Sequence, residues 1–313
     1  MISTFDATLF VDVADALGIS SPAIVEKDYY AVQLLVELSA LSFEGYALVF
    51  SGGTCLSKAY QATYRMSEDV DIKMVPSPEI LALSNNQQRQ RRREVYHAIC
   101  KLIESSAYFQ LIEPAKKRSE GRYQQFLIQY PRHHRSIDAL RPHLQLDITE
   151  SKLLEPSVEK PIRSLYGEVT ELENQPLIMS CVTMATTASE KFVSLLRRTA
   201  AIDRDRTRVD DETLVRHVYD LHLMGESLPS LESMRNLVEQ VIQTDVEQFG
   251  RQHEAFRRTP HQELRHGLSL LLKNHHHELR YEKFIGPLVY HPSPARWDEA
   301  IQAVSLMSSE WLE

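Results

Sequence analysis

Apolar and polar residues alternate along residues 69–75: Val70, Ile72 and Met74 are interleaved with Asp69, Asp71 and Lys73. Side chains on a strand point to opposite faces in turn, so this period of two predicts a strand with one apolar and one polar face. The same rhythm returns in Leu144-Gln145-Leu146-Asp147-Ile148-Thr149, and residues 122–130 (RYQQFLIQY) predict a further strand. The apolar run YALVF over 46–50, bounded by Gly45 and by Ser51-Gly52-Gly53, predicts a buried strand. Elsewhere the period is helical. Ala31, Leu34, Leu35, Leu38 and Leu41 follow Ser21-Pro22, a good helix start, and residues 1–44 are expected to be helical. A helix is expected over 54–63 with Thr54 as its N-cap, and a long one over 87–107, basic on one side. Residues 151–178, with Pro156, Pro161 and Pro176, are expected to be loop-like. Helices are then expected over 179–199, 211–224, 230–248, 261–273 and at the end of the chain.

The predicted organisation is α+β: N-terminal helices over 1–44, a mixed α/β core over 45–150 and a mostly helical domain over 151–313. The chain has 313 residues, 43% hydrophobic and 25% charged, which is ordinary for a globular protein. No apolar stretch approaches the roughly 18 residues of a membrane span, and the first residues carry acids and no basic leader. Three cysteines far apart in sequence, Cys55, Cys100 and Cys181, point to neither a disulfide framework nor a zinc site, so a reducing cytoplasm is expected. His275-His276-His277 lacks a spaced carboxylate or cysteine partner and reads as a polar helix end. The net charge of −8 argues against indiscriminate nucleic-acid binding. Basic residues nevertheless cluster at Arg89 with Arg91–Arg93, Lys116–Arg118 with Arg122, Arg132–Arg135, and Arg204, Arg206 and Arg208. Each is either a solvated face or part of a local basic surface.

The candidate chemistry lies where a strand ends in Gly52-Gly53. Such a turn feeding a helix is either purely structural or an anion cradle, in which backbone N–H groups and the helix N-terminus face phosphates. Ser51 and Thr54 would add hydroxyl donors, and the arrangement suits a triphosphate. Asp69 and Asp71 share a strand face, so their carboxylates either face water or share a cation, for which hard oxygen ligands favour Mg²⁺. Asp147 can complete such a site if its strand neighbours 69–75. One or two Mg²⁺ held this way serve nucleotidyl transfer. Lys191 has small or hydroxylated neighbours at helical spacing and either snorkels to solvent or reaches phosphates. Asp220, one turn after Arg216 and His217, either pairs with the arginine or serves the site.

Taken together, SGGTCLSKAY…RMSEDVDIKM, LQLDIT, ASEKFVSLLRR and VRHVYDLHLM resemble the AbiEii-type nucleotidyltransferase toxins over roughly residues 25–225. These are minimal members of the DNA-polymerase-β-like superfamily, from toxin–antitoxin and phage-defence operons. The resemblance implies a mixed sheet flanked by helices with a helical C-terminal domain. It implies NTP as co-substrate, an RNA acceptor such as the tRNA 3′ end, and a cognate antitoxin. It assigns phosphate contact to Lys191 and acceptor positioning or base chemistry to Asp220. Ser67 matches a family serine whose phosphorylation silences some members. Two other functions use the same residues: γ-phosphate transfer to a protein or nucleotide, and non-catalytic nucleotide binding in a regulatory subunit.

Overall fold

The computed structural model describes residues 6–170, 172 and 175–313. The first five residues of the expected N-terminal helical segment, and 171, 173 and 174 of the expected loop, lie outside the described residues. The chain forms two compact units, Met1–Val182 and Thr183–Glu313.

The first unit contains α1 (Leu9–Leu17), α2 (Pro22–Ser39), β1 (Tyr46–Ser51), α3 (Gly52–Ala59), β2 (Asp69–Pro76), α4 (Pro78–Ala82), α5 (Asn85–Ser105), β3 (Gln110–Leu111), β4 (Lys116–Arg118), β5 (Tyr123–Gln129), β6 (Leu144–Glu150), β7 (Val158–Ile162), α6 (Leu165–Thr170) and β8 (Leu177–Cys181). Among the described residues the strands make one mixed sheet in the order β3-β5-β6-β2-β1-β8-β7, with β4 also paired to β5. β2 runs parallel to β6 and antiparallel to β1. The alternation read from sequence is the cause of its two-faced character. Val70, Ile72, Met74, Leu144, Leu146, Ile148, Phe126 and Ile128 are buried on one face. At roughly 1.5–3 kcal/mol per buried side chain they fix the register, since a one-residue slip would expose the whole set. α5 covers this face, with Tyr96 stacked on Phe126 at 5.7 Å. Arg92 on α5 is buried and bonds Glu150 of β6 at 3.1 Å.

Three expectations are corrected. The 151–178 segment is not all loop: β7, α6 and β8 lie within it or just past its end, and the two strands extend the sheet. The break between units therefore falls at Val182–Thr183 rather than near residue 150. Pro161 sits in β7 at the sheet edge, where a missing N–H is tolerated. The helix expected from 179 begins at Met184, because Cys181 still pairs with Val158; Thr183 caps it, accepting from Thr186 N at 3.1 Å. The helix expected from Thr54 begins at Gly52, so Ser51 holds the N-cap position and Thr54 lies inside.

Three successive charged residues of α2 are all buried, and each is bonded to a distant part of the chain. Glu26 accepts from the backbone N–H groups of His133 (2.6 Å) and His134 (3.2 Å). Lys27 pairs with Glu68 at 2.6 Å and donates to the Arg141 carbonyl at 2.8 Å. Asp28 pairs with Lys58 of α3 at 2.6 Å and accepts from Leu165 N at 2.7 Å.

The second unit is helical among its described residues: α7 (Met184–Arg204), α8 (Arg216–Met224), α9 (Leu231–Phe249), α10 (Glu254–Arg258), α11 (Pro260–Lys273), α12 (His276–Leu288) and α13 (Trp297–Trp311). α7 packs against α8, α9 and α11, and its Phe192 meets Trp311 of α13 edge-on at 5.0 Å. α12 was not expected. Its interior Pro287 and adjacent Gly286 mask the periodicity, and the triple histidine marks its start. No helix among the described residues is long and apolar enough to cross a membrane.

Candidate active site

The sheet register brings the three aspartates together. Asp71 of β2 is paired with Asp147 of β6 on one side and with Ser51 of β1 on the other; Asp69 is paired with Gln145. All three carboxylates share the face opposite the buried apolar residues, on strands about 4.8 Å apart. The row continues outward through Gln125 of β5 to Lys116 of β4.

The diglycine is shaped by these acids. Gly52 has φ +75°, and a Cβ there would stand 2.0 Å from Asp71 Oδ2. A Cβ on Gly53 would meet Ser67 Oγ at 2.7 Å and Arg65 Nη2 at 2.9 Å. The turn thus lets backbone lie against the Asp71 carboxylate, as a close-approach glycine does. Ser51 and Thr54 are buried, with hydroxyls turned towards β2. Ser51 Oγ donates to the Asp71 carbonyl at 3.1 Å; Thr54 Oγ1 donates to the Asp69 carbonyl and to that of Ser67 at 3.3 Å. Their hydroxyls fix the backbone of both acids, which leaves the N–H groups of the first turn of α3 as the turn's anion donors.

The carboxylates are held by side chains that sequence reading did not single out. Arg141 Nη2 lies 2.5 Å from Asp69 Oδ1, and its Nη1 donates to Gln145 Oε1 at 2.7 Å. Gln145 Nε2 donates to Asp147 Oδ2 at 2.8 Å. Tyr123 Oη (3.0 Å) and Gln125 Nε2 (3.2 Å) both donate to Asp147 Oδ1. Burial pushes the Asp147 carboxyl above its ordinary value; these three hydrogen bonds oppose the rise, and the charge of Asp69 adds to it. The signal for Gln145 and Gln125 was available, since strand alternation puts them on the acidic face. Arg141 carries no such signal, because only the fold of the 131–143 loop brings it there.

Three carboxylates in register are hard oxygen donors suited to Mg²⁺. As folded, among the described residues, no three His, Cys, Asp or Glu side chains converge into a cage. Asp69 turns to Arg141 instead, and Asp147 to its three donors. The residues fit such a cation in donor chemistry and in strand register, with Arg141 beside Asp69 as its counter-charge.

Lys191 and Asp220 are in the second unit, on α7 and α8, as a buried ion pair of 2.9 Å. The basic clusters separate into different roles. Arg92 is structural. Arg89 and Arg93 join Lys117 and Arg118 around a groove of about 310 Å³ in the first unit. There Lys117 Nζ lies 3.9 Å from the centre of the Tyr96 ring, and Arg118 caps the Tyr123 ring at 5.9 Å.

A family profile described as "Nucleotidyl transferase AbiEii toxin, Type IV TA system" matches residues 33–303. Among curated proteins nothing matches the chain. Among solved structures it is similar in fold to MenT4, a nucleotidyltransferase toxin of Mycobacterium tuberculosis H37Rv. The TM-score is 0.53 and the identity 22%, over 77% of this chain and 72% of that one.

Proposed function

The chain belongs to the nucleotidyl transferase AbiEii toxin family of type IV toxin–antitoxin systems, and on that premise we propose that it transfers an NMP from an NTP to the 3′ end of RNA, with tRNA the principal acceptor. The acceptor hydroxyl bonds to the α-phosphorus, its proton passes to a base, and the α–β bond breaks to release pyrophosphate. Blocked tRNA in the cytoplasm would stop translation until a cognate antitoxin intervenes.

The observation that carries this reading is the register of Asp71 and Asp147 beside the Gly52–Gly53 turn, with Asp69 on the same face. One or two Mg²⁺ at Asp69, Asp71 and Asp147 would neutralise the phosphates and activate the acceptor hydroxyl. The N–H groups opening α3 receive the phosphate chain next to Asp71, and Ser51, Thr54 and Ser67 hold the turn in shape. Gln145, Gln125 and Tyr123 orient Asp147. Lys191 and Asp220 take the phosphate and acceptor roles that the family resemblance gives them. The groove of Arg89, Arg93, Lys117 and Arg118 receives the RNA backbone, where charge and an aromatic face occur together.

The test is incubation of total RNA with each of the four NTPs, labelled at the α- or the γ-phosphate. The α-label should enter tRNA with the wild type and be lost with Asp71→Asn. Transfer of the γ-label alone would establish phosphotransfer, and labelling that survives Asp71→Asn would remove the carboxylates from the mechanism.

A further inference from the structure

Arg141 is fixed at its base and extended at its tip. Its backbone N–H donates to Glu68 Oε1 at 2.7 Å, and its carbonyl accepts from Lys27 Nζ at 2.8 Å. Glu68 and Lys27 are both buried. The side chain is 34% exposed and reaches over the carboxylate face to Asp69 and Gln145. Its Nε also lies 3.7 Å from Glu68 Oε2. One guanidinium therefore neutralises Asp69 directly and steadies Asp147 through a single glutamine. The main chain that carries it does not depend on either interaction.

We propose that Arg141 is a phosphate-binding residue of this site that acts as counter-ion to Asp69 until nucleotide arrives, so that divalent cation and nucleoside triphosphate bind cooperatively. The inference rests on the proposed function, in that it takes the three aspartates as cation ligands. A cation approaching Asp69 meets an oxygen already engaged by a positive group. The two compete for the same lone pairs and repel each other. A triphosphate resolves the conflict. Its oxygens match the planar fork of a guanidinium, which binds phosphate in pairs of parallel hydrogen bonds. Glu68 keeps the displaced guanidinium close to the site, and the anchored backbone lets the side chain change partner without moving the loop. If the arginine were purely structural, tying the 131–143 loop to the sheet, replacing its guanidinium would leave the coupling between cation and nucleotide unchanged.

The experiment measures Mn²⁺ binding to the metal-free full-length protein by electron paramagnetic resonance. It is done alone and with an equimolar mixture of the four α,β-methylene nucleoside triphosphates, for wild type, R141Q, R141K and D71N. In the wild type, nucleotide should tighten Mn²⁺ binding by about tenfold or more, within the ordinary range of site–site coupling. R141Q should bind Mn²⁺ more tightly than wild type without nucleotide and lose most of that coupling. Its melting temperature should fall in the metal-free state and recover with Mn²⁺. R141K keeps the charge and loses the fork, so it should bind Mn²⁺ alone like wild type and bind the nucleotide mixture about tenfold more weakly. Should R141Q fail to fold, R141K decides the matter, and wild-type nucleotide affinity in R141K overturns the proposal. If D71N abolishes Mn²⁺ binding while R141Q leaves affinity and coupling unchanged, Arg141 is structural and the cation site stands. If the wild type binds no Mn²⁺ with or without nucleotide, the cation reading and the role of Arg141 fall together.

Discussion

Replacing Gly52 by alanine isolates the close approach on which the site is built. Two costs are expected, and a second glycine separates them. Gly52 has φ +75°, so any L-residue there adopts a left-handed conformation, at about 1–2 kcal/mol. Gly18, which ends α1, has φ +65° with nothing within 4 Å of its built Cβ, so Gly18→Ala carries that strain alone. At Gly52 the new methyl would stand 2.0 Å from Asp71 Oδ2, whereas ordinary contact begins at 3.4 Å. The carboxylate must then recede by about 1.4 Å, the difference of those two distances. A displacement near 1 Å at a reacting centre costs about 100-fold in rate. Urea unfolding should give a loss of about 1–2 kcal/mol for Gly18→Ala with transfer activity retained. Gly52→Ala should lose at least as much stability and about 100-fold in α-label transfer at saturating NTP. Activity of Gly52→Ala within about threefold of Gly18→Ala would refute the claim that the turn sets the position of Asp71, because the methyl would have displaced nothing that matters to the rate.

Lys191→Ala removes the buried cation that pairs with Asp220 and should lower stability by up to about 3–5 kcal/mol in urea unfolding. The double replacement Lys191→Met with Asp220→Leu should recover most of that stability while remaining inactive; activity in the double variant would exclude both residues from the chemistry. Burial, followed by neighbouring positive groups, pushes His253 and His277 down to about 4. A histidine whose folded pKa is lowered lends stability above its ordinary value near 6.5, lost as pH falls towards 4. Stability of the wild type should therefore decline across that window, and His253→Gln with His277→Gln should flatten the curve; an unchanged slope counts against half-buried neutral imidazoles. Removing Lys117 and Arg93 should weaken tRNA binding at every sequence tested and make its salt dependence shallower by about 0.7–0.9 for each phosphate no longer neutralised, measured by fluorescence anisotropy. An unchanged slope would move the RNA elsewhere.

Much of the site was legible because strand alternation is a local property. Val70, Ile72 and Met74 required burial, which left Asp69 and Asp71 on the opposite face whatever strand lay beside them. The neighbour was not legible. That Asp71 meets Asp147 rather than another residue of β6 is a matter of register, set by tertiary burial of Leu146 and Ile148. Short elements were misread for a related reason. VEKPI and LIMSC are five residues each, and proline with loop-like flanks outweighed their weak alternation until pairing in the sheet supplied the missing stabilisation. Thr54 was a reasonable cap by type; the helix starts two residues earlier, at Gly52, and that hydroxyl bonds the Asp69 carbonyl instead. Arg141 was only one arginine in a loop rich in Arg, His and Pro, and nothing local distinguished it.

The run Glu26-Lys27-Asp28 has a consequence for how this protein can diverge. Successive residues on a helix point about 100° apart, so one short stretch of α2 holds the 131–143 loop, Glu68 ahead of β2, α3 and the start of α6 at once. Each clasp fixes its segment at one or two residues. Insertions between Arg135 and Arg141, or before Leu165, can lengthen the surface while the helix keeps its grip. Such loops can lengthen while the acidic face of the sheet keeps a constant mounting.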